Sequence, residues 1–289
     1  MNFPITDSHL HLWDEKNLDY PWLKTMPTLE RSFLLSDLME ATKSLHLESI
    51  VFMQSGCEDA QSLQEVNWVS DLAKRDARIQ AIIAHAPLEL GQDVHAHLTA
   101  LKSNKLVKGV RRMLNAEKND FCLQEKFIQG VKLLAEFNFS FDVCIGAQQL
   151  PSVIRMVEQC PEVKFILEHL GNPAMAEKEL ERWQTQVSEL AAFPNVWCKL
   201  SRLIREDQPV WSSDDLKPYI YHAIKEFSYD RVMFGSDWPV VNLAASYAHW
   251  THTLHDLLTH HHASEDELKK IFHSNARRCY EIQTEVVEM

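Results

Sequence analysis

Short apolar runs recur along the chain, and most of them are followed by a segment with the spacing of an amphipathic helix. A strand, its crossover helix and two loops need about 30 residues, which is close to the spacing between these runs. Alternation of this kind indicates parallel strands. The eight predicted strands are Ile5–Leu12, Ser49–Gln54, Ile79–Ala86, Val107–Met113, Phe139–Ile145, Lys164–His169, Val196–Ser201 and Arg231–Ser236.

The segments between the runs have helical periodicity. Leu63, Val66 and Val69 recur at three-residue steps, and Pro151 stands where the first turn of a helix tolerates proline. The chain has only seven glycines and no linker rich in Gly, Ser or Pro. We therefore predict an α/β fold, a (β/α)8 TIM barrel that forms a single domain over residues 1–289. A doubly wound open sheet is the alternative, but its GxGxxG fingerprint is absent, and no nucleotide cofactor is expected.

Composition narrows the classes of partner. The net charge of −12 argues against nucleic acid, whose phosphates require clustered Lys and Arg, but permits a small-molecule substrate, even an anionic one. No run approaches the ~20 apolar residues of a membrane span, and the first residues lack the features of a signal peptide. Six scattered cysteines without a CxxC pair indicate reduced thiols, so we expect a cytoplasmic location. The oligomeric state cannot be read from these features.

The first chemical signal is the pair His9 and His11 in the first strand. Side chains two apart in a strand point to the same side, so both imidazoles are expected to face the barrel interior. Catalytic residues of such barrels gather at the carboxyl ends of the strands. Two imidazoles on one face can hold a divalent metal or address one substrate oxygen.

Ionisable residues also end the sixth and eighth strands. His169 follows an apolar run and precedes a Gly-Asn-Pro break, while Asp237 follows Val232-Met233-Phe234. Asp237 alone could equally cap a turn or helix. Strands one and eight are neighbours in a closed barrel, so Asp237 is expected beside His9 and His11. A carboxylate beside neutral imidazoles can deprotonate water while they bind a metal or polarise a carbonyl.

Four further residues are candidates for substrate binding. Arg111 at the end of the fourth strand could bind a carboxylate or hydroxyl, or form a structural ion pair. Lys199 in the seventh strand could hold substrate oxygens or pair with a neighbour. Gln54 ends the second strand and could donate a hydrogen bond. Trp22 lies in a loop from Trp13 to Ser36, which either covers the pocket or packs against the rim.

Several segments together resemble the amidohydrolase-related family, in its branch of sugar-lactone and 2-pyrone-4,6-dicarboxylate lactonases. The resemblance covers essentially the whole chain, and the combination of HxHxW with GSDWP is specific to it. The segments that carry it are Ile5–Trp13, Lys108–Arg111, Glu168–Pro173, Asn195–Ser201 and Arg231–Pro239. It implies a barrel fold, lactone hydrolysis and Asp237 as the general base.

Departures from the family pattern bear on metal content and specificity. The branch usually has Asp where Glu168 stands and Gly where Arg202 stands. Binuclear members use a histidine on the fifth strand, and that strand has none here. The expectation is therefore one divalent metal, with zinc preferred and His9, His11, His169 and Asp237 as ligands, or no metal. Two other functions remain open, a metal-dependent decarboxylase and a non-catalytic ligand-binding barrel.

Overall fold

A computed structural model describes residues 3–175, 177–203 and 211–283. Its centre is a sheet of eight parallel strands that neighbour one another in chain order. All eight predicted strands are confirmed, with ends that differ by a few residues. They are β1 Ile5–Leu10, β2 Leu47–Met53, β3 Ile79–His85, β4 Val107–Arg111, β5 Ser140–Val143, β6 Phe165–Leu167, β7 Val196–Leu200 and β8 Val232–Phe234.

The sheet closes between its first strand and the residues that follow its last. The Asp237 N–H donates to the His9 carbonyl at 2.8 Å, and the His11 N–H donates to the Trp238 carbonyl, also at 2.8 Å. Leu10 and Trp238 form the parallel bridge between these hydrogen bonds. The predicted TIM barrel is therefore confirmed, and the closing seam itself carries three of the candidate site residues.

Helices follow the strands and cover the outside of the barrel. None of the described helices is long and apolar enough to cross a lipid bilayer. They are α1 Leu35–Thr42, α2 Ser62–Ala73, α3 His95–Lys102, α4 Glu125–Glu136, α5 Leu150–Gln159, α6 Glu177–Ala191, α7 Ser213–Phe227, α8 Tyr247–His260, α9 Glu265–Lys269 and α10 Asn275–Cys279.

The amino-terminal end of the barrel is closed by α10 and the residues after it. Arg277 donates from Nη1 to the hydroxyl of Ser49 at 2.7 Å, near the start of β2, and Lys164 donates to the Cys279 carbonyl at 2.7 Å. Tyr280 is 2% exposed and packs with the apolar side chains that point into the barrel. That inner core contains Val51, Met53, Ala81, Ile83, Ile166, Met233, Ala276, Cys279 and Ile282.

An aromatic loop lies over the opposite, carboxyl end of β1 and β2. Trp13 and Phe33 form an antiparallel bridge at its base. The Trp22 indole donates to the Ser55 carbonyl at 2.8 Å, just after β2. The rings of Trp13 and Trp22 meet edge to face, with centroids 5.3 Å apart. The predicted loop therefore packs on the rim, and through Trp22 it also forms a wall beside the ends of these strands.

Candidate active site

His9, His11 and Asp237 meet at the closing seam of the barrel. The two Nε2 atoms of His9 and His11 are 3.1 Å apart. Each lies 3.3 Å from Oδ1 of Asp237. All three side chains are at most 7% exposed. The backbone of Gly235 allows this close approach, because a Cβ there would lie 2.8 Å from the Cβ of His9.

The protonation state of His11 follows from its partner on the other side. Its Nδ1 lies 2.9 Å from the Met53 carbonyl, which can only accept a hydrogen bond, so Nδ1 carries the proton. Burial lowers the pKa of His11 to about 4. The ring is therefore neutral near pH 7, and its Nε2 lone pair faces His9 and Asp237.

His169 reaches the same site from a turn rather than from a strand. β6 ends at Leu167, and the backbone at His169 and Leu170 is left-handed, with φ of 53° at both. The Trp183 indole holds this turn by donating to the Leu170 carbonyl at 2.8 Å. His169 Nδ1 lies 2.7 Å from the Ser201 hydroxyl, and its ring centroid is 4.6 Å from that of His9. Burial lowers the pKa of His169 well below its usual value, so this imidazole is also neutral.

Asp237 is an ionised carboxylate in a nearly closed environment. Burial acts to raise its pKa, but the imidazoles of His169, His11 and His9, with the Arg202 guanidinium, hold that pKa well below the usual value. Arg202 Nε lies 3.7 Å from Oδ2 of Asp237. Among the residues that the structure describes, no group forms a hydrogen bond to that buried Oδ2. This oxygen can therefore accept a hydrogen bond from a bound molecule.

Arg111 and Gln54 line the same interior. Arg111 forms the ion pair that the sequence left as one alternative, with Nη1 3.1 Å from Oε2 of Glu168 and Nη2 2.5 Å from the Gln54 carbonyl. The Gln54 side-chain oxygen accepts from the Gly56 N–H at 2.7 Å. Within the described ranges, Arg111 Nε and Gln54 Nε2 are buried donors that lack a partner. Both atoms could therefore donate to a bound substrate.

Lys199 lies next to His9 and is fully buried. Its ammonium is 2.6 Å from Oδ2 of Asp142, 3.6 Å from Oε1 of Glu168 and 3.4 Å from Nδ1 of His9. The structure thus shows the pairing alternative for Lys199. Sequence reasoning gave no role to Asp142, Glu168 or Tyr280. The alternation of Ser140 and Asp142 along β5 was the available signal for an inward-facing carboxylate, whereas no local pattern marks Tyr280.

The donor atoms at the seam match the requirements of one divalent cation. Ligands about 2.0–2.1 Å from a tetrahedral zinc lie roughly 3.3 Å from one another, which is close to the spacings among His9 Nε2, His11 Nε2 and Asp237 Oδ1. His9, Glu168 and His169 form a second group with ligand atoms within 4.8 Å of one another. Around these two groups, three buried carboxylates face two buried cations; the cations are Arg111 and Lys199, and the carboxylates are Asp142, Glu168 and Asp237. An added positive charge would balance them.

Comparisons with known proteins show what the whole chain resembles. A family model described as amidohydrolase matches residues 6–282. The L-fucono-1,5-lactonase of Burkholderia multivorans is 32% identical, with 95% of each chain covered. The L-rhamnono-gamma-lactonase of Scheffersomyces stipitis is 26% identical over 97% of this chain and 99% of that protein. A crystal structure of an amidohydrolase from Burkholderia multivorans with bound zinc superposes with a TM-score of 0.86 and 29% identity, covering 97% of this chain and 100% of that one.

Proposed function

This chain belongs to the amidohydrolase family, and from that membership we propose that it is a hydrolase that opens the lactone ring of a sugar acid. The observation that carries the proposal is Asp237, an ionised carboxylate with a buried oxygen that has no hydrogen-bond partner among the described residues. Neutral His11 and His169 surround it. The similarity to two sugar lactonases supports a lactone as the substrate.

In the proposed reaction, a water molecule bound at Oδ2 of Asp237 attacks the lactone carbonyl while Asp237 accepts its proton. A carboxylate whose pKa lies so low is a weak base, so the reaction also requires an electrophile that polarises the lactone carbonyl. One divalent cation, with zinc preferred, would supply a Lewis acid there when held by His9, His11 and Asp237. Asp237 then returns the proton to the departing ring oxygen.

The surrounding residues would orient the substrate. Arg111 Nε and Gln54 Nε2 are placed to donate to hydroxyl or carbonyl oxygens of the lactone. A site that hydrogen-bonds substrate hydroxyls discriminates strongly against analogues that lack them, because its buried donors are then left unpaired. Trp22 and its loop would form the wall over the ends of β1 and β2 and limit the access of water.

A hydrolysis screen tests the proposed function. Aldonolactones, uronolactones and muconolactones are offered to the purified protein in a pH-indicator assay, with and without a chelator. We expect acid release from sugar lactones, with 1,5- and 1,4-rings of deoxy-sugar acids compared directly. Absence of turnover across the panel would contradict the proposal, and release of carbon dioxide from aromatic carboxylates would favour a decarboxylase instead.

Replacing Arg202 by Gly is expected to move the acid limb of the pH profile of kcat/KM to higher pH. Asp237 works as the ionised form, so activity falls as pH drops through its pKa. Arg202 contributes to lowering that pKa, and its removal therefore raises it. Glycine suits the position because the backbone φ of Arg202 is 47°. The measurement is kcat/KM against pH, with Arg182→Ala on the exposed face of α6 as control; an unchanged limb would exclude Arg202 from this role.

A further inference from the structure

The Nδ1 atom of His9 faces two groups that favour opposite protonation states of this nitrogen. The Lys199 ammonium, 3.4 Å away, can only donate a hydrogen bond, so it favours an unprotonated Nδ1. Oε1 of Glu168, 3.3 Å away, can only accept when it is ionised, so it favours a protonated Nδ1. A neutral imidazole carries one proton. If that proton is on Nδ1, Nε2 presents a lone pair, and if Nδ1 is unprotonated, Nε2 is a hydrogen-bond donor.

Lys199 is held in place from the opposite end of the barrel. Oδ2 of Asp142 accepts from Lys199 at 2.6 Å and from the Tyr280 hydroxyl at 2.5 Å. The Ser140 hydroxyl donates to the other oxygen of Asp142 at 3.2 Å. Lys199 also lies over the Tyr280 ring, with Nζ 5.5 Å from its centroid. A residue of the segment that closes the amino-terminal end thus fixes the ammonium that approaches His9.

The hydrogen bonds along this path have a consistent direction. When Lys199 donates to Nδ1 of a His9 ring that carries one proton, that proton is on Nε2. Nε2 of His9 can then donate to Oδ1 of Asp237, 3.3 Å away, or to Nε2 of His11, 3.1 Å away, whose lone pair is available because Nδ1 of His11 is bound to the Met53 carbonyl. Oε1 of Glu168 is left as a buried acceptor with no hydrogen bond among the described residues. It is the group to which Nδ1 would donate if the proton changed place.

Binding of a cation through Nε2 of His9 requires the other tautomer, since the nitrogen must present a lone pair. We propose that Lys199, positioned by Asp142 and Tyr280, holds His9 with its proton on Nε2, and that Glu168 stabilises the metal-binding tautomer. Lys199, Asp142, Tyr280 and Glu168 are positioning residues here, because they act through His9. The inference rests on the proposed function of His9 as a metal ligand, but it does not depend on whether the substrate is a lactone.

The tautomer of His9 is the direct test. It is read from the ¹⁵N chemical shifts of the imidazole nitrogens in metal-free protein, with the His9 signals identified by their loss in His9→Gln. We expect the proton on Nε2 in the parent protein and a larger share of it on Nδ1 in Lys199→Met, where Oε1 of Glu168 at Nδ1 competes only with Oδ1 of Asp237 at Nε2. A proton on Nδ1 in the parent, or an unchanged tautomer in Lys199→Met, would overturn the proposal.

Zinc affinity, measured by competition with a chromogenic chelator, gives a second readout that does not depend on turnover. Glu168→Gln should bind zinc about 10- to 100-fold more weakly, as is usual when the partner of a ligating histidine is lost. Lys199→Met should bind zinc more tightly than the parent protein, by about tenfold or more. Removal of a positive charge alone would also tighten binding, so the affinity gain counts as support only together with the change of tautomer.

Tyr280→Phe keeps the proposal testable if Lys199→Met fails to fold. It removes one hydroxyl and leaves the buried charges in place, so it should fold, and it should shift part of the His9 population to the Nδ1 tautomer. Lys43→Met, at an exposed lysine on the surface, is the matched control and should change neither readout. A Tyr280→Phe protein with the tautomer ratio and zinc affinity of the parent would remove Tyr280 from the positioning path. The tautomer and the zinc affinity are measured without substrate, so they remain valid tests even if the protein does not hydrolyse lactones.

Discussion

Replacement of Asp237 by Asn is expected to lower kcat for lactone hydrolysis by about 10²- to 10⁴-fold, the contribution of a positioned general base. The amide has nearly the same shape but cannot accept the proton of the attacking water. It also carries no charge, so it loses the attraction of the Arg202 guanidinium, whose Nε lies 3.7 Å from Oδ2 of the carboxylate. Steady-state kinetics on a lactone from the panel measure the effect, with KM changing much less than kcat.

The control for this variant is Asp256→Asn on α8, where the carboxylate is 70% exposed and remote from the barrel interior. It should retain the kcat of the parent. Thermal unfolding of both variants distinguishes lost chemistry from lost structure. Asp237→Asn with a parent-like melting temperature and full activity would rule out Asp237 as the base.

Replacement of Arg111 by Met is expected to lower the free energy of unfolding by about 3–5 kcal/mol at pH 7, the usual cost of removing one partner of a buried ion pair. Arg111 and Glu168 have side chains that are 5% and 0% exposed, and their facing atoms are 3.1 Å apart. Methionine fills a similar length but leaves the charge of Glu168 without its main partner. Urea unfolding measures the change.

The size of this loss should depend on pH. Burial acts to raise the pKa of Glu168, but Arg111, ahead of His9 and Lys199, holds that pKa well below 4.5. A lowered folded-state pKa stabilises the protein above the unfolded-state pKa, and the stabilisation is lost as pH falls through the folded-state pKa. Without Arg111 the pKa rises, so Glu168 becomes neutral at higher pH in the variant. The difference between variant and parent should therefore narrow as pH falls below about 4.5 towards the folded-state pKa of the parent.

Lys74→Met is the matched control, since Lys74 pairs with Asp71 where both side chains are more than 70% exposed. Surface pairs contribute about 0–1 kcal/mol, so this variant should unfold almost as the parent does at every pH. If Arg111→Met were as stable as Lys74→Met, the ion pair would not have the structural importance that its burial indicates.

The barrel and the meeting of His9, His11 and Asp237 could be predicted because both follow from short-range patterns. Apolar runs at regular spacing give parallel strands, and closure of eight such strands places the first beside the last. Alternation along the end of β1 and the residue after it then puts the two histidines on one face. The arrival of His169 could be expected from its place after β6, although its left-handed backbone could not.

The partners of Arg111 and Lys199 could not be predicted, because they come from strands that lie far away along the chain. Either side chain could have turned towards a substrate or towards a carboxylate, and the sequence left both alternatives. The choice depends on Glu168 and Asp142, whose reach across the barrel is set by the packing of all eight strands. The position of Tyr280 is still harder to predict, because the segment that carries it is not a strand and packs into the amino-terminal end of the barrel.

The position of Tyr280 also has a consequence for the order in which the protein is made. Ribosomes synthesise all eight strands, with Asp142 and Lys199, before they reach the hydroxyl that completes the hydrogen bonds of this buried pair. The hydrogen bonds that lead from Tyr280 through Asp142 and Lys199 to His9 are complete only when the residue after α10 has packed into the barrel. A nascent chain that is interrupted after β8 would thus possess all eight strands and still lack one donor to the buried carboxylate of Asp142.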